Sequence, residues 1–165
     1  MKTFILKFSA AFLLLAFMGA GCEKEKEPVL KGPVVGYIVG SFICDEIDPK
    51  TDVATGNRTK RGYCILLEGS ENEDAHWPMD FYTFDLPPEF FDFPEEFISP
   101  THNANDGGPT FFPGNFQSKF KIKFEYHKVL DSKKVHFDCG FYTMSIPFPW
   151  TNYIQASLKN ISKVN

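Results

Sequence analysis

Lys119-Phe120-Lys121-Ile122-Lys123-Phe124-Glu125-Tyr126-His127 alternates without a break. Phe120, Ile122, Phe124 and Tyr126 fall on one side of an extended chain. Lys119, Lys121, Lys123, Glu125 and His127 fall on the other. Period two over nine residues predicts a half-buried strand with one apolar and one solvated face. Downstream, Asp131-Ser132-Lys133-Lys134 reads as a turn, and Val135, Phe137, Cys139 and Phe141 resume the same period. Ile154 to Val164 closes the chain as a last strand, in which Ile154, Ala156 and Leu158 alternate while Ile161 and Val164 break register.

Upstream, Val34 to Cys44 reads as the first strand. Val35, Tyr37, Val39, Ser41 and Ile43 share one face, and Gly36, Ile38, Gly40, Phe42 and Cys44 the other. Both faces are largely apolar, which fits a strand covered on both sides or curling in a barrel. Gly36 and Gly40 mark a bend or bulge. Asp45 to Gly62 is polar, with Asp48-Pro49 and Thr55-Gly56-Asn57 as turn chemistry. Tyr63 to Glu68 is a second strand, Gly69 to Asp74 a turn, and Met79 to Leu86 a third strand, ended by Pro87-Pro88. Phe90, Phe93 and Phe97 then recur at helical spacing, with Asp92 and Glu95 placed for a capping box and Pro94 in the first turn. This predicts one short helix presenting Phe to the core. Ile98 to Asn115 reads as loop, broken by Asp106-Gly107-Gly108-Pro109 and Pro113-Gly114.

The fold class is therefore mainly β. The order of three strands, a short helix, a strand, a hairpin extension and a last strand resembles the OB-fold, a five-stranded, partly open Greek-key barrel. That resemblance implies a small barrel with one short helix between its third and fourth strands. A β-sandwich is the alternative, because helix-poor chains with strands at this spacing suit it too. Nineteen Phe among 165 residues favour short strands over a helical bundle, since aromatics suit pleated, half-buried surfaces.

The N-terminus carries an address. Met1-Lys2, a second positive charge at Lys7, an apolar run from Phe8 to Met18 broken only by Ser9, and the small residues Gly19-Ala20-Gly21 have the layout of a secretory signal. The run is about half of the roughly 20 residues that a membrane-spanning helix needs. Met18-Gly19-Ala20-Gly21-Cys22 resembles the lipobox of bacterial lipoproteins, and the resemblance implies lipid attachment at Cys22. That family usually has Leu where Gly19 stands, and Gly19 and Gly21 also suit an ordinary secretory cleavage site. Glu23-Lys24-Glu25-Lys26-Glu27-Pro28 cannot bury apolar surface and reads as a tether. It resembles the charged tract after the lipid Cys of surface-exported lipoproteins of the Bacteroidota, and a generic solvated spacer is the alternative. The organisation expected is a signal peptide over 1–21, a lipid-anchored tether over 22–33, and a single β-barrel domain over 34–165.

Removing residues 1–21 takes away Lys2 and Lys7 and no acid, which leaves 15 basic against 21 acidic residues, a net charge of −6. A nucleic-acid partner is not expected, since it calls for a clustered basic surface. No G-x-S-x-G, P-loop, H-E-x-x-H or EF-hand pattern occurs, so no catalytic residue, metal site or cofactor is predicted. His136 and Cys139 have ligand spacing, but alternation sends them to opposite faces. His76 and His102 read as solvated. The acids Asp45, Glu46, Asp48 and Asp52, and the run Asn103-Ala104-Asn105-Asp106-Gly107-Gly108, match no calcium-loop pattern and read as solvated surface. Cys44, Cys64 and Cys139 remain after the anchor. They read as buried thiols packed as small hydrophobes, with one intramolecular disulfide, its partners not assignable, as the alternative.

The aromatics in loops are the better lead. His76-Trp77-Pro78 lies in a turn, and Phe148-Pro149-Trp150-Thr151-Asn152-Tyr153 precedes the last strand. Trp77, Trp150 and Tyr153 are the candidate ligand-binding residues, because rings in such loops stack on a sugar face or anchor a protein. The competing reading has Trp77 and Trp150 plugging the ends of the barrel. The expectation is a non-enzymatic binding or accessory module, anchored in the membrane by its N-terminal lipid, on the outer membrane and facing the cell surface, with a glycan or protein ligand. The alternative is a structural lipoprotein facing the periplasm and docking on an envelope complex. Oligomeric state is not readable.

Overall fold

The computed structural model describes residues 28–56, 60–70, 77–98, 108–139 and 148–164. The signal segment, Cys22, the charged run 23–27, His76, His102, residues 103–107 and Phe141 lie outside the described residues. Among the described residues no helix is long and apolar enough to cross a membrane.

Five strands close into a barrel. They are β1 (Lys31–Ile43), β4 (Arg61–Leu67), β5 (Phe81–Thr83), β7 (Lys121–Lys128) and β9 (Ile154–Lys163). The order around the wall is β1–β4–β5–β9–β7 and back to β1. Every pairing is antiparallel except β5 with β9, where Phe81 faces Ile154 and Tyr82 faces Gln155 in parallel. This is an OB-fold-like Greek-key barrel. Ile122, Phe124 and Tyr126, the apolar row that announces β7, point inward and meet Ile38, Tyr63, Ile65, Phe81, Ala156 and Leu158. Burial of each large side chain contributes about 1.5–3 kcal/mol. β1 begins at Lys31, so Lys31–Pro33 belong to the barrel rather than to the tether.

The two glycines of β1 mark a bulge, as the sequence suggested. Ile38 pairs with Ile65 and Gly40 with Cys64, so Val39 is the extra residue. The bulge exchanges the faces. Ile38 is inside the barrel, Val39 and Phe42 are outside it, and Ser41 turns inward to donate from Oγ to the Phe97 carbonyl at 2.5 Å. A strict period of two had placed Ser41 with Val39, and the inserted residue is why that fails.

The segment between β5 and β7 closes one side of the barrel core. A 3-10 turn at Pro88–Phe90 and a single helical turn at Glu95–Ile98 replace the continuous helix predicted over this stretch. Proline recurs at 87, 88 and 94 and breaks the run. The Phe residues still reach the core: Phe93 and Phe97 are buried against Phe112 and Phe120. The stretch read as loop also holds structure, namely β6 (Thr110–Phe111), paired to β1 at Gly40 and Ser41, and a second helical turn at Gly114–Gln117.

The two long connections form a further layer. Between β1 and β4, β2 (Asp45–Asp48) and β3 (Val53–Ala54) make a hairpin where only a polar loop was expected. Between β7 and β9, β8 (Phe137–Asp138) pairs with β2. Among the described residues, the strand forecast from Val135 onward is limited to these two; Phe141 lies outside them. A Cys44–Cys139 disulfide fastens the same pair of connections. Cys64 alone is the buried free thiol that had been the leading reading for all three cysteines.

Candidate binding face

A second apolar cluster lies on the outer wall of β1, β4 and β5. Val39, Phe42, Cys44, Cys64, Met79, Tyr82 and Phe148 are buried there. They are the residues that alternate with the barrel core. Phe42 and Tyr82 project outward because their neighbours Ser41 and Phe81 project inward. Gly62 sits opposite Phe42, and its missing side chain makes room for the Phe42 ring.

Trp77, Trp150 and Tyr153 meet in this cluster, around Phe148. The Trp77 ring lies 5.3 Å from Phe148 and stacks at 5.7 Å on Phe111 of β6. Trp150 opens the 3-10 turn Trp150–Asn152. Its ring is 4.6 Å from Phe148 and 4.5 Å from Phe42, with Tyr82 and Phe137 edge-on at 5.4 Å and 5.1 Å. Tyr153 stacks on Phe148 at 5.7 Å. The tryptophans therefore do not plug the barrel ends. They pave its outer wall, Trp77 ahead of β5 and Trp150 on the β7–β9 connection, which the disulfide and the β2–β8 pairing tie to the β1–β4 connection.

All three candidate rings are half-buried. Each has one side committed to packing and an edge at the surface. Burial raises the Tyr153 phenol above its ordinary value, with nearby Cys64 adding to the effect, so it presents a neutral hydroxyl. This arrangement suits stacking and hydrogen bonding. The Cys64 thiol is fully enclosed, and burial pushes it far above the ordinary thiol range, which removes it as a nucleophile. Among the described residues no three His, Cys, Asp or Glu side chains converge as a metal site. Asp45, Glu46 and Asp48 are spread along β2, and Asp52 lies in the hairpin turn. His136 is exposed, and Cys139 is committed to Cys44.

The sequence reading missed Phe42, Tyr82, Phe84 and Phe137 as the floor of this face. Their signal was present in the doubly apolar β1, which calls for cover on both sides. No family model, curated protein or solved structure matches this chain.

Proposed function

We propose that the protein is a non-enzymatic binding module of the cell envelope, held to the membrane by a lipid on Cys22, that offers its outer aromatic wall to a glycan or a protein. The observation that supports this is the gathering of Trp77, Trp150 and Tyr153 around Phe148 on the outer wall of the barrel. OB-fold barrels bind their ligands on the corresponding face, flanked by the corresponding loops. The outer membrane and cell surface are the proposed location, from the lipobox-like Gly19-Ala20-Gly21-Cys22 and the acidic tether.

The test is a binding screen of the mature chain against glycans and surface proteins, repeated with Tyr153→Ala. Tyr153 lies on the rim, so its loss leaves the floor of the cluster in place. A ligand bound by the wild type is expected to lose about tenfold in affinity, the order expected for one stacked aromatic anchor. Unchanged affinity would sink the assignment of this face. The second reading, docking on a periplasmic envelope complex, draws on the exposed apolar side chains of Val29, Leu30 and Ile154. It predicts that mild cross-linking captures envelope proteins, and that charged substitutions at Val29 and Ile154 abolish the capture.

A further inference from the structure

The charge of this chain is unevenly distributed. From Lys119 onward there are eight lysines against three acids, although the protein as a whole is acidic. Part of that excess converges on a cavity of about 710 Å³ beside the β5–β9 seam. Lys60, Lys133 and Lys159 line it, together with His127, Ser157 and Gln155. Among the described residues none of the three lysines is ion-paired. Asp85 is the acid in the lining, and it is already occupied: one of its oxygens accepts from Ser157 Oγ at 2.6 Å and from the Leu158 N–H at 3.0 Å. Lys60, Lys133 and Lys159 against Asp85 give the lining a net charge of two positives.

Gln155 provides an independent pointer. It is only 4% exposed, yet it lines the cavity. Its Oε1 accepts from the Val135 N–H at 3.1 Å, which fixes the plane of the carboxamide. The Nε2 amide has no acceptor among the described residues. A buried amide held rigid with an unused donor at the wall of a basic cavity is a donor for a ligand oxygen. The rest of the wall is apolar, from Phe84, Val129, Leu130, Val135 and Leu30. The size falls within the range of small-molecule sites.

We infer that this cavity binds a phosphate monoester carrying an apolar body. A dianion matches the net charge of the lining, lysines act as point charges toward phosphate oxygens, and the Phe84–Leu130 side takes the hydrocarbon. The site is distinct from the aromatic wall, which it touches only through Phe84, and it stands whether or not that wall takes a partner. The same chemistry has two sources, a soluble phosphorylated metabolite or the head group of a phosphomonoester lipid. Pro28 and Leu30, at the start of the described chain, line the cavity and place it on the tether side of the domain.

The test uses the mature chain with Cys22→Ser, so that no lipid is attached, and titrates it calorimetrically with hexyl phosphate, inorganic phosphate and hexanol. Hexyl phosphate is expected to bind saturably, about tenfold or more tighter than either fragment, and to weaken with added salt. Lys133→Gln and Lys159→Gln together are expected to lower the affinity about tenfold or more. Both side chains are exposed, and an unchanged circular dichroism spectrum checks the fold. Lys50→Gln, in the remote β2–β3 turn, is expected to change nothing. Gln155→Leu supplies a second variant, which removes the donor at similar volume. Flotation with phosphatidylcholine vesicles, with and without phosphatidic acid, separates the sources. Co-flotation only with phosphatidic acid, lost in the double variant, assigns the lipid. Hexyl phosphate binding without co-flotation assigns a soluble ligand. Absence of saturable hexyl phosphate binding, or binding indifferent to both the double lysine variant and Gln155→Leu, overturns the site.

Discussion

Two adjacent residues of β4, Tyr63 and Cys64, show how one strand serves two cores. Tyr63 points into the barrel and Cys64 into the outer cluster, and both are essentially fully buried. The Tyr63 hydroxyl has no hydrogen-bond partner among the described residues, so it carries a desolvation cost with no return. Tyr63→Phe is expected to raise stability by about 1 kcal/mol, measured by urea unfolding, and a loss of stability would show that the hydroxyl is satisfied in solution. Burial, reinforced by Glu89 and opposed by Arg61, raises the Tyr63 phenol, and burial alone raises Tyr82 and Cys64. The folded protein therefore keeps these protons to higher pH than the unfolded chain does. Their contribution to stability is complete below the unfolded values and is lost as pH climbs past them. The fall is expected to begin near 9.0, the ordinary thiol value, and to steepen past 10.0, the ordinary phenol value. Cys64→Ala is expected to delay the onset to the phenol range, and an unchanged onset in that variant would exclude the thiol as its cause. Gly62 makes the complementary point. A Cβ there meets the Phe42 ring, which is itself wedged among Tyr82, Phe84, Phe137 and Trp150. Gly62→Ala is expected to cost about 1–3 kcal/mol.

Among the elements, the β1–β4 and β7–β9 connections depend on one another. β2 and β8 share only the pairs Asp45–Asp138 and Glu46–Phe137. Three of these four residues are acidic, so the packing at this pairing comes from Phe137 against the outer cluster, and the Cys44–Cys139 bridge ties its end covalently. The bridge spans 95 residues of sequence. Replacing both cysteines with serine is expected to cost about 2–5 kcal/mol and to expose the backbone amides of β2 and β8 to hydrogen exchange before those of β7 and β9. Simultaneous exposure of all four strands would show that the bridge supports the barrel itself rather than the clasp. This layer is also where sequence reading ran short. The barrel strands were legible because alternation survives wherever one face is wet, as in β7, or where both faces are covered, as in β1. β2 and β3 were not, because a polar hairpin looks like a loop until a partner strand is known, and β8 owes its existence to pairing across the fold. The disulfide stood as the alternative reading, but its partners, Cys44 and Cys139, were not assignable for the same reason: three cysteines give no pairing without coordinates. Trp77, Trp150 and Tyr153 could be singled out individually, but their convergence on Phe148 required the closed barrel, and the lysine cavity required the β5–β9 seam.

For the molecule as a whole, the basic C-terminal third and the acidic remainder are a contrast along the sequence that the overall charge conceals. Residues 23–118 hold 18 of the acids, and the eight lysines from Lys119 onward stand mainly on β7, β9 and their connection. In sequence, the charged run Glu23 to Glu27 immediately precedes Pro28, which lines the lysine-lined cavity. If the domain stands on the cell surface, trypsin added to intact cells has ready access to Lys24 and Lys26, in a stretch too polar to bury. The barrel behind them is closed, disulfide-bonded and doubly cored, and is expected to resist digestion. The expected outcome is release of an intact fragment beginning near Glu27 into the medium, detected with an antibody to residues 28–165, with no such fragment when the protease is omitted. Protection until the outer membrane is breached would place the domain in the periplasm and give precedence to docking on an envelope complex. Degradation to small peptides without an intact fragment would show that the clasp over the outer wall opens in solution, which the exchange behaviour of β2 and β8 would then have to match.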